Sequence, residues 1–327
     1  MGKGIVYAKT AEGVETAVID VTNEAFAVTA TEEKLAAMTE QYIREAGLQR
    51  EVPEAVREAL RNSTLGRALM AASGTFLDGL TTYYLKLGPD HLGEWATPID
   101  RRIAASFPAF AARLRLQDMA RLLAEGLALT VASEPHRRVC LVNIGGGAGA
   151  DSWNALIHLH GEDAGLLMGK SIAIAVLDLD ARGAAFGVRA SEALCGAGSL
   201  LNGLEISFQY LSYEWSDTSR LRSVLDGLNA GDGACGISSE GALFEYGSDE
   251  EIVANLKVLH EGTPRDAIVV GSVTRDGALV RTSLITNRVA TRPRMMEGFR
   301  RLCEQAGWSV GRVVERPFSY HVRLVKN

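Results

Sequence analysis

Three rhythms of hydrophobic and polar positions divide the chain. Residues 4–10 (GIVYAKT) and 15–21 (ETAVIDV) alternate with period two around the turn Ala11-Glu12-Gly13, and residues 25–31 (AFAVTAT) continue the alternation. They predict a small β-appendage of three strands. From residue 31 to about 134 the apolar positions recur at helical spacing. Thr31 is placed to cap a first helix, Pro53 to open a second, and residues 63–88 form a helical stretch broken near Gly74. Pro98 and Pro108 open two more helices, the latter long. From Arg137 the rhythm changes again. Continuous apolar runs at 138–144, 171–180, 204–211, 234–240 and 266–274 alternate with amphipathic stretches. The chain closes with two runs, 308–315 and 319–326.

Strands that are apolar on both faces and alternate with helices predict a parallel sheet covered on both sides. The connection Arg316-Pro317-Phe318 is too short for a parallel crossover, so the last two strands should pair antiparallel. The expected fold class is therefore α/β. It is a doubly wound, mostly parallel, Rossmann-like sheet over residues 136–327 with an antiparallel C-terminal hairpin. Residues 1–135 should supply the β-appendage and a mainly helical cap that helps define a substrate pocket. Residues 277–290 read as a loop that lines the other side of that pocket, where Arg281 and Arg288 are available to an acidic substrate. The N-terminal strands are the expected contact of a possible homodimer.

Composition narrows the partners. Lys and Arg total 34 against 40 Asp and Glu, a formal net charge of -6, which argues against a nucleic-acid backbone as the main partner. No apolar stretch has the length of a membrane span and the first residues carry no signal-peptide pattern, so neither a membrane nor export is expected. Cys140, Cys195, Cys235 and Cys303 are scattered and form no CxxC pair. Buried thiols fit a reducing compartment, so a cytoplasmic location is expected. His158 and His160 lie two apart on a helix and face different ways, and no HExxH motif occurs, so no metal site is expected.

The chemistry concentrates after residue 142. Val142-Asn143-Ile144-Gly145-Gly146-Gly147-Ala148-Gly149-Ala150 joins an apolar strand to a helix. Glycines allow a sharp turn and a close approach by a ligand, and the helix N-terminus presents free amides to it. The loop suits a nucleotide-like cofactor at the carboxyl edge of the sheet. Gly145, Gly147 and Gly149 fit a GxGxG pattern, whereas Gly145, Gly147 and Ala150 fit GxGxxA, so an NAD(P)-dependent oxidoreductase is one competing reading and a non-catalytic cofactor-binding protein with the same fold is another. The next strand ends Val176-Leu177-Asp178-Leu179-Asp180. A carboxylate there accepts hydrogen bonds from ribose hydroxyls; Asp178 is the first choice and Asp180 the reserve. Its distance from Gly149 exceeds the roughly 20 residues of a dinucleotide fold.

Together, the loop, the acid and the terminal hairpin resemble the class I S-adenosylmethionine-dependent methyltransferases over residues 137–327. A second resemblance, to the leucine carboxyl methyltransferase group and its polyketide O-methyltransferase relatives, rests on three segments. Arg113-Leu114-Arg115-Leu116-Gln117-Asp118 is similar to a segment whose arginine meets the cofactor carboxylate. Tyr210-Leu211-Ser212-Tyr213-Glu214-Trp215 is similar to one whose aspartate binds adenine; Tyr210 stands in that aspartate's place, with Glu214 or Asp217 as substitutes. Ser239-Glu240-Gly241-Ala242-Leu243-Phe244-Glu245-Tyr246 is similar to a Glu-Gly-Leu-Leu-x-Tyr segment, with the tyrosine one residue late. The resemblance implies S-adenosylmethionine as cofactor and methyl transfer to a small molecule, with oxygen as acceptor atom. It implies cofactor contacts from Arg113, Arg115, Asn143, Gly145, Gly147, Gly149, Asp178, Tyr210, Glu214 and Glu240. Candidates for a base or an orienting group are Glu240, His91 and Tyr213, followed by Tyr83 and Tyr84.

Overall fold

The structure is a computed structural model that describes residues 4–48, 54–72, 75–133, 138–287 and 290–327. It begins with a two-stranded hairpin, β1 (Tyr7–Lys9) and β2 (Glu15–Ala17). Six helices follow: α1 (Glu32–Leu48), α2 (Glu54–Arg61), α3 (Thr64–Ala71), α4 (Gly79–Leu87), α5 (Pro98–Ala104) and α6 (Phe107–Ser133). The alternating part runs β3 (Val139–Ile144), α7 (Ala150–Glu162), β4 (Ser171–Asp178), α8 (Ala181–Cys195), β5 (Glu205–Ser212), α9 (Ser219–Gly227) and β6 (Ala234–Ser239). It continues with α10 (Leu243–Tyr246), α11 (Asp249–Gly262), β7 (Ile268–Thr274), α12 (Ala278–Asn287), α13 (Met296–Gln305), β8 (Trp308–Glu315) and β9 (Ser319–Lys326).

Seven strands form one sheet in the order β5-β4-β3-β6-β7-β9-β8. β3 to β7 pair parallel; β9 pairs antiparallel with both β7 and β8, closing the sheet as the short connection requires. Every residue of β3, β6 and β7 is buried, as expected of strands with helices on both faces. Neighbouring residues divide between the faces. Leu141 and Ile174 join α6 and α7 in one apolar cluster through Leu123, Leu127 and Trp153. Val142 and Ala175 join α9, α11 and α13 in the other through Leu221, Leu256 and Phe299. The sequence order reverses at β3, whose neighbours are β4 and β6; this opens a crevice at the carboxyl ends of β3 and β6.

The N-terminal segment is stitched onto this core. The Tyr83 hydroxyl accepts from Ile19 N–H at 2.9 Å and donates to the Ala17 carbonyl at 2.8 Å. Trp153 Nε1 donates to the Ile19 carbonyl, and Val21 N–H donates to Asn154 Oδ1. The expected units 1–135 and 136–327 thus share one buried cluster containing Val18, Tyr83, Leu123 and Trp153.

Two local expectations are corrected. Residues 25–31 form no strand: the backbone of Val28 bonds both ways with the amide of Gln117, which takes the place of a neighbouring strand. Residues 277–290 are not a loop throughout, because α12 fills most of that segment and packs on α1. The capping proline Pro53, the break at Gly74, the strand entry at Arg137 and the cation Arg288 lie outside the described residues.

Candidate active site

The glycine loop leaves β3 at the crevice and runs to the N-terminus of α7. Gly145, Gly147 and Gly149 adopt positive φ of 66°, 54° and 72°, which residues with a Cβ rarely do. A Cβ on Gly145 would lie 2.3 Å from that of Ala242. The loop is pinned to β4. Gly145 N–H donates to the Leu177 carbonyl at 2.7 Å and Gly147 N–H to Asp178 Oδ2 at 2.8 Å. Asp178 Oδ1 also accepts from Asp180 N–H. Burial nevertheless raises the Asp178 carboxyl above its ordinary value. Asp180, the reserve, caps α8 through Arg182 N–H and accepts from Gly79 N–H at 3.2 Å.

This loop forms one wall of a cavity. One face of α4, from Gly79 through Thr82 and Tyr83 to Lys86 in its last turn, forms the facing wall, and the β6–α10 turn adds Glu240, Gly241 and Ala242. An aromatic rim completes it: Phe76 stands 6.5 Å from Trp215 and 6.1 Å from Tyr246, ring centre to ring centre.

A buried charge cluster lies at its base. Glu240 bonds Lys86 through one oxygen and Arg115 Nε, at 2.6 Å, through the other. Arg115 also reaches Glu245 at 3.5 Å. The side chains of Lys86, Glu240 and Glu245 are each under a tenth exposed. Burial would raise the Glu240 carboxyl, but Lys86 and Arg115 reverse this and hold it below the usual range. An anion so held is a poor proton acceptor, so Glu240 is built for binding rather than for general base chemistry. Nearby, burial and the Glu240 charge push Asp151 up to about 6.

A second cavity adjoins the first and shares Phe76, Leu77, Thr82, Gly241 and Tyr246 with it. Its other walls are mostly apolar: Leu85 from α4, Pro108, Ala111 and Ala112 from α6, Val280 and Leu284 from α12, and Phe318. Arg115, Glu245, Thr274, Ser283, Thr291 and Ser319 are the polar exceptions.

The structure thus brings Gly145, Gly147, Asp178, Tyr213 and Glu240 to one cavity, with Arg115 reaching it through Glu240. The Tyr213 hydroxyl donates to Asn255 Oδ1 at 2.5 Å and, raised by burial, is not a base facing the cavity. Tyr83 is committed to the N-terminal segment, and Tyr84 packs on Trp95. Asn143 and Gly149 stand behind the loop. Asn143 bonds Asp151, Ser152 and Ser238, and Gly149 begins α7 against Val176 and Phe208. Like Asn143 and Gly149, four more candidates lie outside the lining of both cavities. Arg113 lies over the Phe110 ring, and His91 contacts the Ala25 carbonyl and the Phe26 ring. The Tyr210 hydroxyl meets the Leu179 carbonyl, and Glu214 is exposed beside Asp217. Arg281 pairs with Asp276 at the surface.

Sequence reasoning missed Lys86, Phe76, Trp215 and Tyr246 as wall residues. Lys86 had a readable signal, a lysine inside the otherwise apolar run Tyr83-Tyr84-Leu85-Lys86-Leu87. Among the described residues no cluster has the makings of a metal site, and no helix is long and apolar enough to cross a membrane.

The sheet, parallel except for a C-terminal hairpin that inserts its last strand beside β7, decides the fold. The chain has the class I methyltransferase fold. No protein-family profile matches it, and neither does any curated protein. Among solved structures, a "possible exported protein" from Bordetella parapertussis superposes with a TM-score of 0.56 at 18% identity, over 91% of this chain and 97% of its own. Magnesium protoporphyrin IX methyltransferase from Synechocystis PCC 6803, with bound SAH, gives 0.45 at 14% identity over 68% and 89%. CalO1, a methyltransferase in calicheamicin biosynthesis, gives 0.39 at 13% over 89% and 69%. At 18% identity the first of these speaks of shared fold alone; in an open α/β sheet the crevice at the strand-order reversal, here between β3 and β6, is the place to seek a ligand.

Proposed function

We propose that the protein is an S-adenosylmethionine-dependent methyltransferase acting on a small molecule, with oxygen as the acceptor atom. The observation that carries this reading is the buried Lys86–Glu240–Arg115 cluster beside the positive-φ glycine loop. Two cations and a carboxylate at the base of a nucleoside-sized cleft fit an amino-acid zwitterion. A nicotinamide dinucleotide has no such group, and its diphosphate would lie close to Glu240 and Glu245. The residues present therefore fit the methionine end of S-adenosylmethionine. Lys86 and Arg115 would hold its carboxylate and Glu240 its ammonium. Asp178 would receive the ribose hydroxyls, the Gly145–Gly147 backbone would pass close beneath the sugar, and Trp215 would offer a face to adenine.

The bound cofactor supplies an activated methyl group on a sulfonium. What the chain must add is alignment and exclusion of water. α4 and the β6–α10 turn enclose the first cavity, and the adjoining apolar cavity holds the acceptor against the shared Phe76–Tyr246 wall. The buried thiols Cys140, Cys235 and Cys303 support a cytoplasmic setting.

Calorimetry with S-adenosylmethionine, S-adenosylhomocysteine and NADH tests the reading. Saturable binding of the first two and none of the third is expected; NADH alone binding would overturn it. Incubation with methyl-labelled cofactor and a metabolite extract, followed by mass spectrometry, then identifies the acceptor.

A further inference from the structure

One buried polar chain in the acceptor cavity's wall is not used by cofactor binding. Ser319 opens β9 and lines that cavity. Its Oγ lies 3.0 Å from His321 Nε2, and His321 Nδ1 lies 2.9 Å from Asp118 Oδ2. Asp118 also accepts from Arg316 Nε at 2.6 Å and Nη2 at 3.0 Å, and from Arg121 at 3.1 Å. His321 and Asp118 are each 1% exposed. Period-two geometry puts residues 319 and 321 on one face of β9, and α6 carries Asp118 across that face.

Proton positions follow from this arrangement. An ionised Asp118 only accepts, so Nδ1 of His321 carries the ring proton and Nε2 is left to accept from the Ser319 hydroxyl. Ser319 Oγ keeps a lone pair for a donor arriving from the cavity. We propose that Ser319, His321 and Asp118 form a proton relay serving a hydroxyl acceptor, an alcohol or phenol on an otherwise apolar frame, in the second cavity.

The groups facing His321 agree with this. Asp118 and Arg115 approach from α6 and Arg316 from the hairpin turn; Ser272 on β7 and Val314 on β8 are its ladder neighbours. Burial lowers the imidazole below its ordinary value, Asp118 opposes that, and Arg115 and Arg316 add to it. The net direction favours the neutral ring that an acceptor must be. In the step, the acceptor's O–H bond breaks as its oxygen bonds the methyl carbon. That proton passes to Ser319 Oγ, the Ser319 proton passes to His321 Nε2, and the pair of the broken carbon–sulfur bond stays on sulfur. Asp118 stabilises the imidazolium, which returns its proton to solvent after product leaves. A carboxylate acceptor would need no such device. Ser319 is then the catalytic residue, and His321 and Asp118 act through it.

The inference rests on the methyl-transfer reading, and the tests separate the two. The first needs no acceptor. With ring nitrogens labelled in all six histidines, a His321→Gln variant identifies the His321 signals by nuclear magnetic resonance. They should show a neutral ring protonated on Nδ1 at pH 7, with the Nε2 signal moving in Ser319→Ala; an imidazolium at pH 7, or a proton on Nε2, overturns the relay. The second follows label transfer from methyl-labelled cofactor into the extract's products. Ser319→Ala and His321→Gln should each slow transfer about 10²–10⁴-fold, flatten the acid limb of the pH profile and leave S-adenosylhomocysteine affinity unchanged, while Ser319→Thr restores most of the rate. Variants that match the wild type in rate and pH profile overturn the relay and leave methyl transfer standing. Failure of the wild type to bind S-adenosylhomocysteine sinks methyl transfer and leaves the resonance result as a property of the cavity.

Discussion

At the scale of single residues the site is an electrostatic bargain struck in the dark of the core. Glu240 is tolerated there because Lys86 and Arg115 answer its charge, and each of them is tolerated because of Glu240. Removing the carboxylate charge strands Lys86 and leaves Arg115 only the longer contact to Glu245, at 3.5 Å. Glu240→Gln should therefore destabilise the fold by about 3–5 kcal/mol, read as a lower unfolding midpoint in urea. Lys86→Met keeps the stem's packing and leaves Glu240 paired with Arg115. It should cost mainly ligand affinity, about 10–100-fold in Kd for S-adenosylhomocysteine by calorimetry, the size of one charged hydrogen bond. If Lys86→Met binds as the wild type does, the carboxylate contact lies elsewhere. Asp178→Ala should also weaken binding, because the same carboxylate fixes Gly147 N–H and, on the proposed reading, would receive the ribose hydroxyls.

At the scale of elements, three backbones meet without side chains between them. A Cβ on Gly79 at the start of α4 would come 2.6 Å from Gly147 Cα, and one on Gly183 in α8 would come 2.8 Å from the Gly147 carbonyl carbon. Both helices are thus docked directly on the glycine loop. Gly183→Val should push α8 off the loop, costing about 1–3 kcal/mol of stability together with cofactor affinity; Gly147→Val adds the strain of a positive φ of 54°. Unchanged binding in both would show that the loop is not the cradle. Elements were also where the sequence was most and least readable. β9 was legible to its ends because apolar residues run through 319–326 between a short turn and the chain end. α12 was not, because its polar and apolar residues follow no strong helical stripe. The false strand at 25–31 had the right alternation, but alternation does not supply a partner.

At the scale of the molecule, the sheet order places the carboxyl ends of β3 and β6 side by side, and the glycine loop and Asp178 were legible there from the glycine spacing and the acid that ends the second apolar run. Of the cluster at the base of the crevice, Arg115 and Glu240 were named from sequence motifs, but Lys86 and the pairing of the three were not. Lys86, Arg115 and Glu240 come from three distant segments, and only the packing of α4 and α6 on the sheet joins them. The same holds for Asp118, which links α6 to the C-terminal hairpin through Arg316 and His321. Burial would raise its carboxyl, yet those partners hold it at about 2, below an ordinary value of 3.8. A depressed folded-state value means stability that is present above pH 4 and lost as pH falls towards 2. The stability advantage of the wild type over Asp118→Asn should be about 2 kcal/mol at neutral pH and should shrink through that window in urea titrations. An advantage independent of pH would mean the pairing is not ionic.

Phe76, 45% exposed, stands with Leu77 between the two cavities and belongs to both. Whatever fills the second cavity leans on a wall of the first. On the methyl-transfer reading, the acceptor packs against a wall that the nucleoside also touches, so the nucleoside is expected to bind first and its spent form to leave last. Steady-state kinetics should accordingly show S-adenosylhomocysteine competing with S-adenosylmethionine but not with the acceptor, and random-order patterns would refute this.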